Sequence, residues 1–136
     1  DEAKVEEGAA LFVSTGCVGC HAGPSGEGIR VFDFEEVGTD EAMRWIYNPN
    51  EEGHPCCDFA DLNFTVSFSL KAPRLTGIEN QERFLHNGTV ESLEALFCMQ
   101  NRGDSEVDAL NSDGHWMTCD LSVSQKRALM AYLRSL

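Results

Sequence analysis

In the stretch STGCVGCHAGPSG, residues 14–26, two cysteines stand three positions apart and a histidine follows the second directly. No other feature restricts the fold as much. Cys17, Cys20 and His21 can reach a single chemical group together, and the backbone on both sides must leave that group room. Gly16 and Gly19 keep the segment slim, and from Ala22 to Gly28 the chain turns to glycine, proline and serine, so it loops away one residue after His21. Ahead of the motif, Val5, Ala9 and Phe12 recur at helical spacing. Acidic residues occupy the first turn, where they suit the helix dipole. The pattern predicts an amphipathic helix over residues 2–14 that ends beside the motif.

The spacing C-x-x-C-H is the attachment signature of c-type haem. Two thiols add across the two vinyl groups of the porphyrin as thioethers, and the histidine is held under the iron as its proximal ligand. Competing uses of these residues fit less well. Structural zinc takes four ligands, usually from two close pairs, and the sequence has no second C-x-x-C and no spaced histidine pair. A thioredoxin-like pair sits between a strand and a helix, whereas here a helix precedes the motif. The sequence therefore predicts one covalently attached haem c, with Cys17, Cys20 and His21 as its anchors.

The remaining cysteines bear on compartment. Six cysteines in 136 residues are unusual for a reducing cytosol, and Cys56, Cys57, Cys98 and Cys119 are left as an even set. A bond between the neighbours Cys56 and Cys57 is strained, so each is expected to reach Cys98 or Cys119. Thioether attachment and disulfides both imply export, which places the protein in a bacterial periplasm or outside the cell. The opening DEAKVEEGAALF has no basic start and no long apolar stretch, so it is not itself a secretory signal; it is compatible with the remainder after one is removed.

The length fits one domain of residues 1–136, and no apolar run is long enough to span a bilayer. A formal charge of −13 repels nucleic acid and anionic lipid, so the expected partners are redox proteins with a basic docking face. Thr39 or Asp40 can cap a short helix through EAMRWIYN, which must end before Pro49. FTVSFSL alternates as a short strand does, and ESLEALFCMQ, residues 91–100, places Leu93, Leu96 and Phe97 on one helical face. The clearest helix is the last: Ser122 and Gln125 form a capping-box pattern ahead of an apolar stripe of Ala128, Leu129, Tyr132, Leu133 and Leu136.

This layout resembles class I cytochromes c, in which an N-terminal helix runs into the haem motif and crosses a C-terminal helix. Gly8 and Phe12 match the glycine and aromatic of the first helix, and Tyr132 the aromatic of the last. KAPRLTGIENQERFLHNGTVESLEALF and GHWMTCDLSVSQKRALMAYLRSL are similar to the second haem domain of di-haem cytochrome c peroxidases and related di-haem oxygenases. Those enzymes use two haems, and this chain carries one attachment motif, so the resemblance implies a carrier rather than the family's catalytic route. Small carriers of metal-reducing, electrode-active bacteria are also similar in layout. The fold implied is mostly α, a class I cytochrome c-like helical fold around one haem, with an enlarged disulfide-stapled lobe at about residues 49–119.

The sixth iron ligand separates carrier from catalyst. Met117 lies just before the last helix, where the resemblance places a ligand methionine, and is the first choice. His115 occupies the Gly-His position of the di-haem oxygenases, and Met99 the approximate position of the peroxidases' methionine. Each methionine has the simpler use of filling a gap in the core. His86 reads as structural, its ring bonded to backbone in the tight turn of Asn87 and Gly88. Arg74 or Arg83 is available to a haem propionate, although exposed arginine is the simpler reading. The function implied is electron transport between periplasmic redox partners, with iron cycling by one electron. The alternative is a peroxidase-like or gas-ligand-sensing protein with an open sixth position.

Overall fold

The structure, a computed structural model, describes residues 1–40, 69–102 and 111–136. The helix expected at 41–48, most of FTVSFSL, and Met43, His54, Cys56 and Cys57 lie outside the described residues. So does much of the expected lobe.

Helix α1 spans Glu2–Ser14. The Thr15 hydroxyl donates to the Leu11 carbonyl at 2.7 Å, and Gly16 takes φ 87°, a left-handed conformation that ends the helix cheaply. That reversal launches a single 3-10 turn, Cys17–Gly19, which carries the motif. Strand β1, Val31–Asp33, pairs antiparallel with β2, Ser69–Lys71, with Phe32 opposite Leu70. The last two residues of the predicted strand are therefore extended and paired. A one-turn helix α2, Phe34–Val37, follows β1 and stops at Gly38.

The helix expected over 91–100 is only one turn. Helix α3 spans Leu93–Leu96, with the Ser92 side chain accepting from the Ala95 amide. It stops because Cys98 sits at φ 55°, a left-handed backbone that a helix cannot continue through. Helix α4, Val123–Leu133, has the complete capping box: the Ser122 hydroxyl accepts from the Gln125 amide, and the Gln125 side chain accepts from the Ser122 amide. Such a cap contributes about 1 kcal/mol.

The two terminal helices cross as expected. A Cβ on Gly8 would meet the Ala128 carbonyl and lie 2.7 Å from Tyr132 Cβ, so the glycine sets how closely α1 approaches α4. Phe12 and Tyr132 stack tilted at 5.4 Å between centroids. Behind them Leu129, Met130 and Leu133 of α4 join Leu93, Leu96 and Phe97 in one buried cluster. Burying a leucine of this kind contributes roughly 1.5–3 kcal/mol. Met130 is a core residue, as expected of a methionine on a helix. Among the described residues no helix is long and apolar enough to cross a membrane.

Candidate functional site

Cys17 and Cys20 are unpaired thiols, both partly buried, and Cys17 packs against the hydrophobic cluster that Phe12 and Leu129 help to form. His21 follows at the turn's exit, where its amide donates to the Cys17 carbonyl at 3.0 Å. The His21 ring has Nδ1 2.6 Å from the Gly26 carbonyl oxygen. A carbonyl only accepts, so Nδ1 carries the proton and Nε2 keeps its lone pair. This is how a metal-bound imidazole is normally oriented. The Gly, Pro and Ser loop after the motif thus has a chemical task, because it curls Gly26 back under the ring. Phe12 packs 6.4 Å from the same ring and joins the motif to α1.

Facing this side is the turn that precedes α4. His115 has φ 57° and leads into a one-turn 3-10 helix, Trp116–Thr118, so the sequence-predicted His115 and Met117 occupy one tight reversal. Burial lowers the His115 pKa to about 4, helped by the nearby Arg102 cation. His115 Nδ1 is buried with no hydrogen-bond partner, in contrast to the anchored Nδ1 of His21. Met117 is 55% exposed, and Trp116, 48% exposed, lies over the Arg102 guanidinium at 4.1 Å. The tryptophan is thus not a buried core residue. Met99 is partly buried and packs against the hydrophobic cluster, as a gap-filling methionine does.

The 112–119 turn is tied down by residues that follow α3. Arg102 Nη1 donates to the carbonyls of Ser112 at 2.8 Å and Gly114 at 2.7 Å, and Nη2 donates to that of Leu96 at 3.1 Å. The Thr118 hydroxyl lies 2.8 Å from the Leu96 carbonyl and 2.9 Å from that of His115. Cys98 and Cys119 form a disulfide across a Cα separation of 5.1 Å.

That bond corrects the expectation that Cys98 and Cys119 each receive Cys56 or Cys57. Thr118 and Arg102 draw the turn onto the end of α3, and the two cysteines beside these contacts come within ordinary bonding range.

One other expectation changes, and the arginines follow their simpler reading. His86 is tied beyond its own turn: its Nδ1 lies 3.2 Å from the Thr39 hydroxyl, which itself donates to the Asp113 carbonyl at 3.0 Å. With the hydroxyl proton so used, Nδ1 must be the donor, and Nε2 is left buried without a partner. Arg83 lies 2.7 Å from Glu91, an exposed ion pair, and Arg74 is exposed. The important arginine, Arg102, was not legible. In QNRGDS it sits in a polar loop, and its acceptors are backbone carbonyls, which carry no sequence signal.

The family model for cytochrome c matches residues 5–136. The chain belongs to the cytochrome c family. Its members carry covalently bound haem c and serve as haem electron carriers, and bacterial cytochrome c domains are typically secreted or periplasmic. The described residues of this cytochrome fit the cofactor: two free thiols at the required spacing and a histidine whose Nδ1 is held by a carbonyl, which leaves Nε2 for a metal. The chain is also 27% identical, over 96% of its length, to the cytochrome-c peroxidase IdrP2 of Denitromonas iodatirespirans. It spans 39% of that protein's length.

Proposed function

We propose that this cytochrome is a monohaem electron carrier of the bacterial periplasm, passing single electrons between redox proteins and transforming no substrate. The observation that carries the reading is His21. Its Nδ1 is fixed by the Gly26 carbonyl, so Nε2 is committed to iron, and the chain has one motif at which this happens. When bound, the haem supplies a one-electron couple; the residues supply attachment, orientation and a closed second face. Cys17 and Cys20 hold the cofactor, and His21 is the proximal ligand. Met117 is the sixth ligand in this reading, since a thioether favours ferrous iron. With 23 acidic against 10 basic side chains, the partners that dock are basic.

One observation favours His115 as the sixth ligand instead: it is partly buried in that turn, whereas Met117 is 55% exposed. Against it stands the bare Nδ1, because a ligating imidazole normally donates its second N–H to an acceptor.

The near-infrared spectrum of the oxidised protein at neutral pH decides. A weak sulfur-to-iron charge-transfer band that disappears in Met117→Leu and persists in Met99→Leu supports the reading. A low-spin spectrum without the band moves the ligand to His115 and leaves the carrier intact. A high-spin spectrum with fast cyanide binding overturns the carrier in favour of sensing or of peroxidase-like chemistry, the latter being the activity named for the longer relative.

A further inference from the structure

Arg102 is a buried cation, 7% exposed, held by backbone carbonyls. Burying a charge is costly unless strong hydrogen bonds replace its water, so the site has been built around the guanidinium. The pattern of its acceptors is informative. Leu96 is the last residue of α3, where a helix leaves carbonyls without partners inside itself. Arg102 Nη2 and the Thr118 hydroxyl both lie within hydrogen-bond distance of that one carbonyl. Nη1 grips Ser112 and Gly114 ahead of His115, and the flat face of the guanidinium lies against Trp116. Every one of these contacts falls on the turn that carries His115 and Met117, or on the helix end that receives it. A planar fork with fixed donor directions can do this, and a lysine cannot.

We propose that Arg102 is a positioning residue for the second axial ligand: it holds the 112–118 turn against the end of α3, so that the turn offers one fixed donor to the iron and resists opening. This rests on reading that turn as the ligand-bearing one, and it holds for either donor. The left-handed backbone at His115 agrees with it, since a non-glycine residue persists there only when its surroundings over-determine the conformation. A consequence follows for the redox balance. The buried Arg102 cation grips the Gly114 carbonyl next to His115, so with that turn on the iron it also disfavours the extra positive charge of the ferric site.

The test uses the haem-loaded full chain and two substitutions. Arg102→Lys keeps the charge and loses the fork; Arg102→Gln loses both. Cyanide binding to the ferric protein at neutral pH reads the opening of the turn, and a redox titration reads the charge. Both variants should bind cyanide roughly tenfold faster than the parent, the effect of losing one such restraint. Arg102→Gln alone should also shift the ferrous to ferric equilibrium towards ferric, by up to about tenfold, or about 59 mV for one electron.

Unchanged cyanide rates in both variants, even with a lower melting temperature, would reduce Arg102 to a structural residue and leave the carrier reading standing. Fast cyanide binding by the parent would instead sink the carrier reading. Should neither variant load haem, hydrogen exchange on the parent decides. The Thr118 and Cys119 amides, which donate within the turn, should open together with the α3 amides, and faster independent opening overturns the proposal.

Discussion

The hydrogen bonds that orient His21 reach no further than five residues along the chain, back to Cys17 and on to Gly26, and its ring contact with Phe12 spans only nine. On the facing side the ties span much more: Arg102 to Gly114 covers 12 residues, Cys98 to Cys119 covers 21, and Leu96 to Thr118 covers 22. Closing a short loop costs little conformational entropy, so the first side forms once α1 ends at Gly16. The second side forms only after α3, the 98–102 segment and the turn have met. The cytochrome thus combines a locally encoded anchor with a distal face assembled by tertiary contacts. The distal face can then be loosened, tuned or opened while the cofactor stays attached.

The largest expected effect removes the anchor altogether. Replacing Cys17 and Cys20 with serine should abolish covalent haem, read as loss of the haem mass from the intact protein. The Cys98–Cys119 bond should survive, because none of the distal ties passes through the motif. Next comes the disulfide itself. Changing Cys98 and Cys119 to serine should cost about 3 kcal/mol of stability for a loop of this length, measured by denaturant unfolding. The covalent haem should remain, and cyanide should bind faster. If covalent attachment fell as well, the two sides would not be independent and the comparison would break.

The same contrast explains what could be read from the sequence. The motif, the helix leading into it and the capping box of α4 all depend on neighbours within a turn or two, or on a repeating stripe. Phe12, Tyr132, Ser122 and Gln125 are accordingly found where their pattern put them, and Gly8 lies at the helix crossing where the family resemblance put it. Helix α3 is shorter than its apolar spacing suggested because Cys98 is drawn into a left-handed cap and a disulfide, and periodicity carries no trace of either. Arg102 and Thr39 were missed as organising residues for a related reason. A side chain that binds distant backbone carbonyls is recognised by position in space, and any residue can supply the carbonyl. The pairing of Cys98 with Cys119 was equally beyond the sequence, since four cysteines leave three connectivities open.

A smaller effect probes the scaffold both sides share. Gly8→Ala should cost roughly 1–3 kcal/mol, the range for overpacking a close contact, because the added Cβ meets backbone of α4 as well as the Tyr132 side chain. Thermal or denaturant unfolding measures it, and the haem spectrum of the folded fraction should be unchanged. A shifted spectrum would mean that the helix crossing positions the ligands directly, which the short-range contacts around His21 argue against.

The smallest effect concerns a tie belonging to the distal side alone. His86 donates from Nδ1 to Thr39, which holds the Asp113 carbonyl just ahead of the 115–117 turn, while Phe34 packs edge-on against its ring at 5.1 Å. Burial pushes its pKa below the ordinary 6.5, only partly opposed by the nearby Asp40 charge. A second proton would go to Nε2, which is buried and has no acceptor. The unfolded chain, whose histidine titrates near 6.5, therefore binds that proton first. The stability His86 contributes is complete above about pH 6.5 and is lost progressively as pH falls below it towards the folded value. Comparing the parent with His86→Gln between pH 7.5 and 5.5 isolates this contribution, and the parent should lose stability relative to the variant as the solution is acidified. If the difference were flat across that range, His86 would be a passive packing residue and the distal face would carry no pH-sensitive tie.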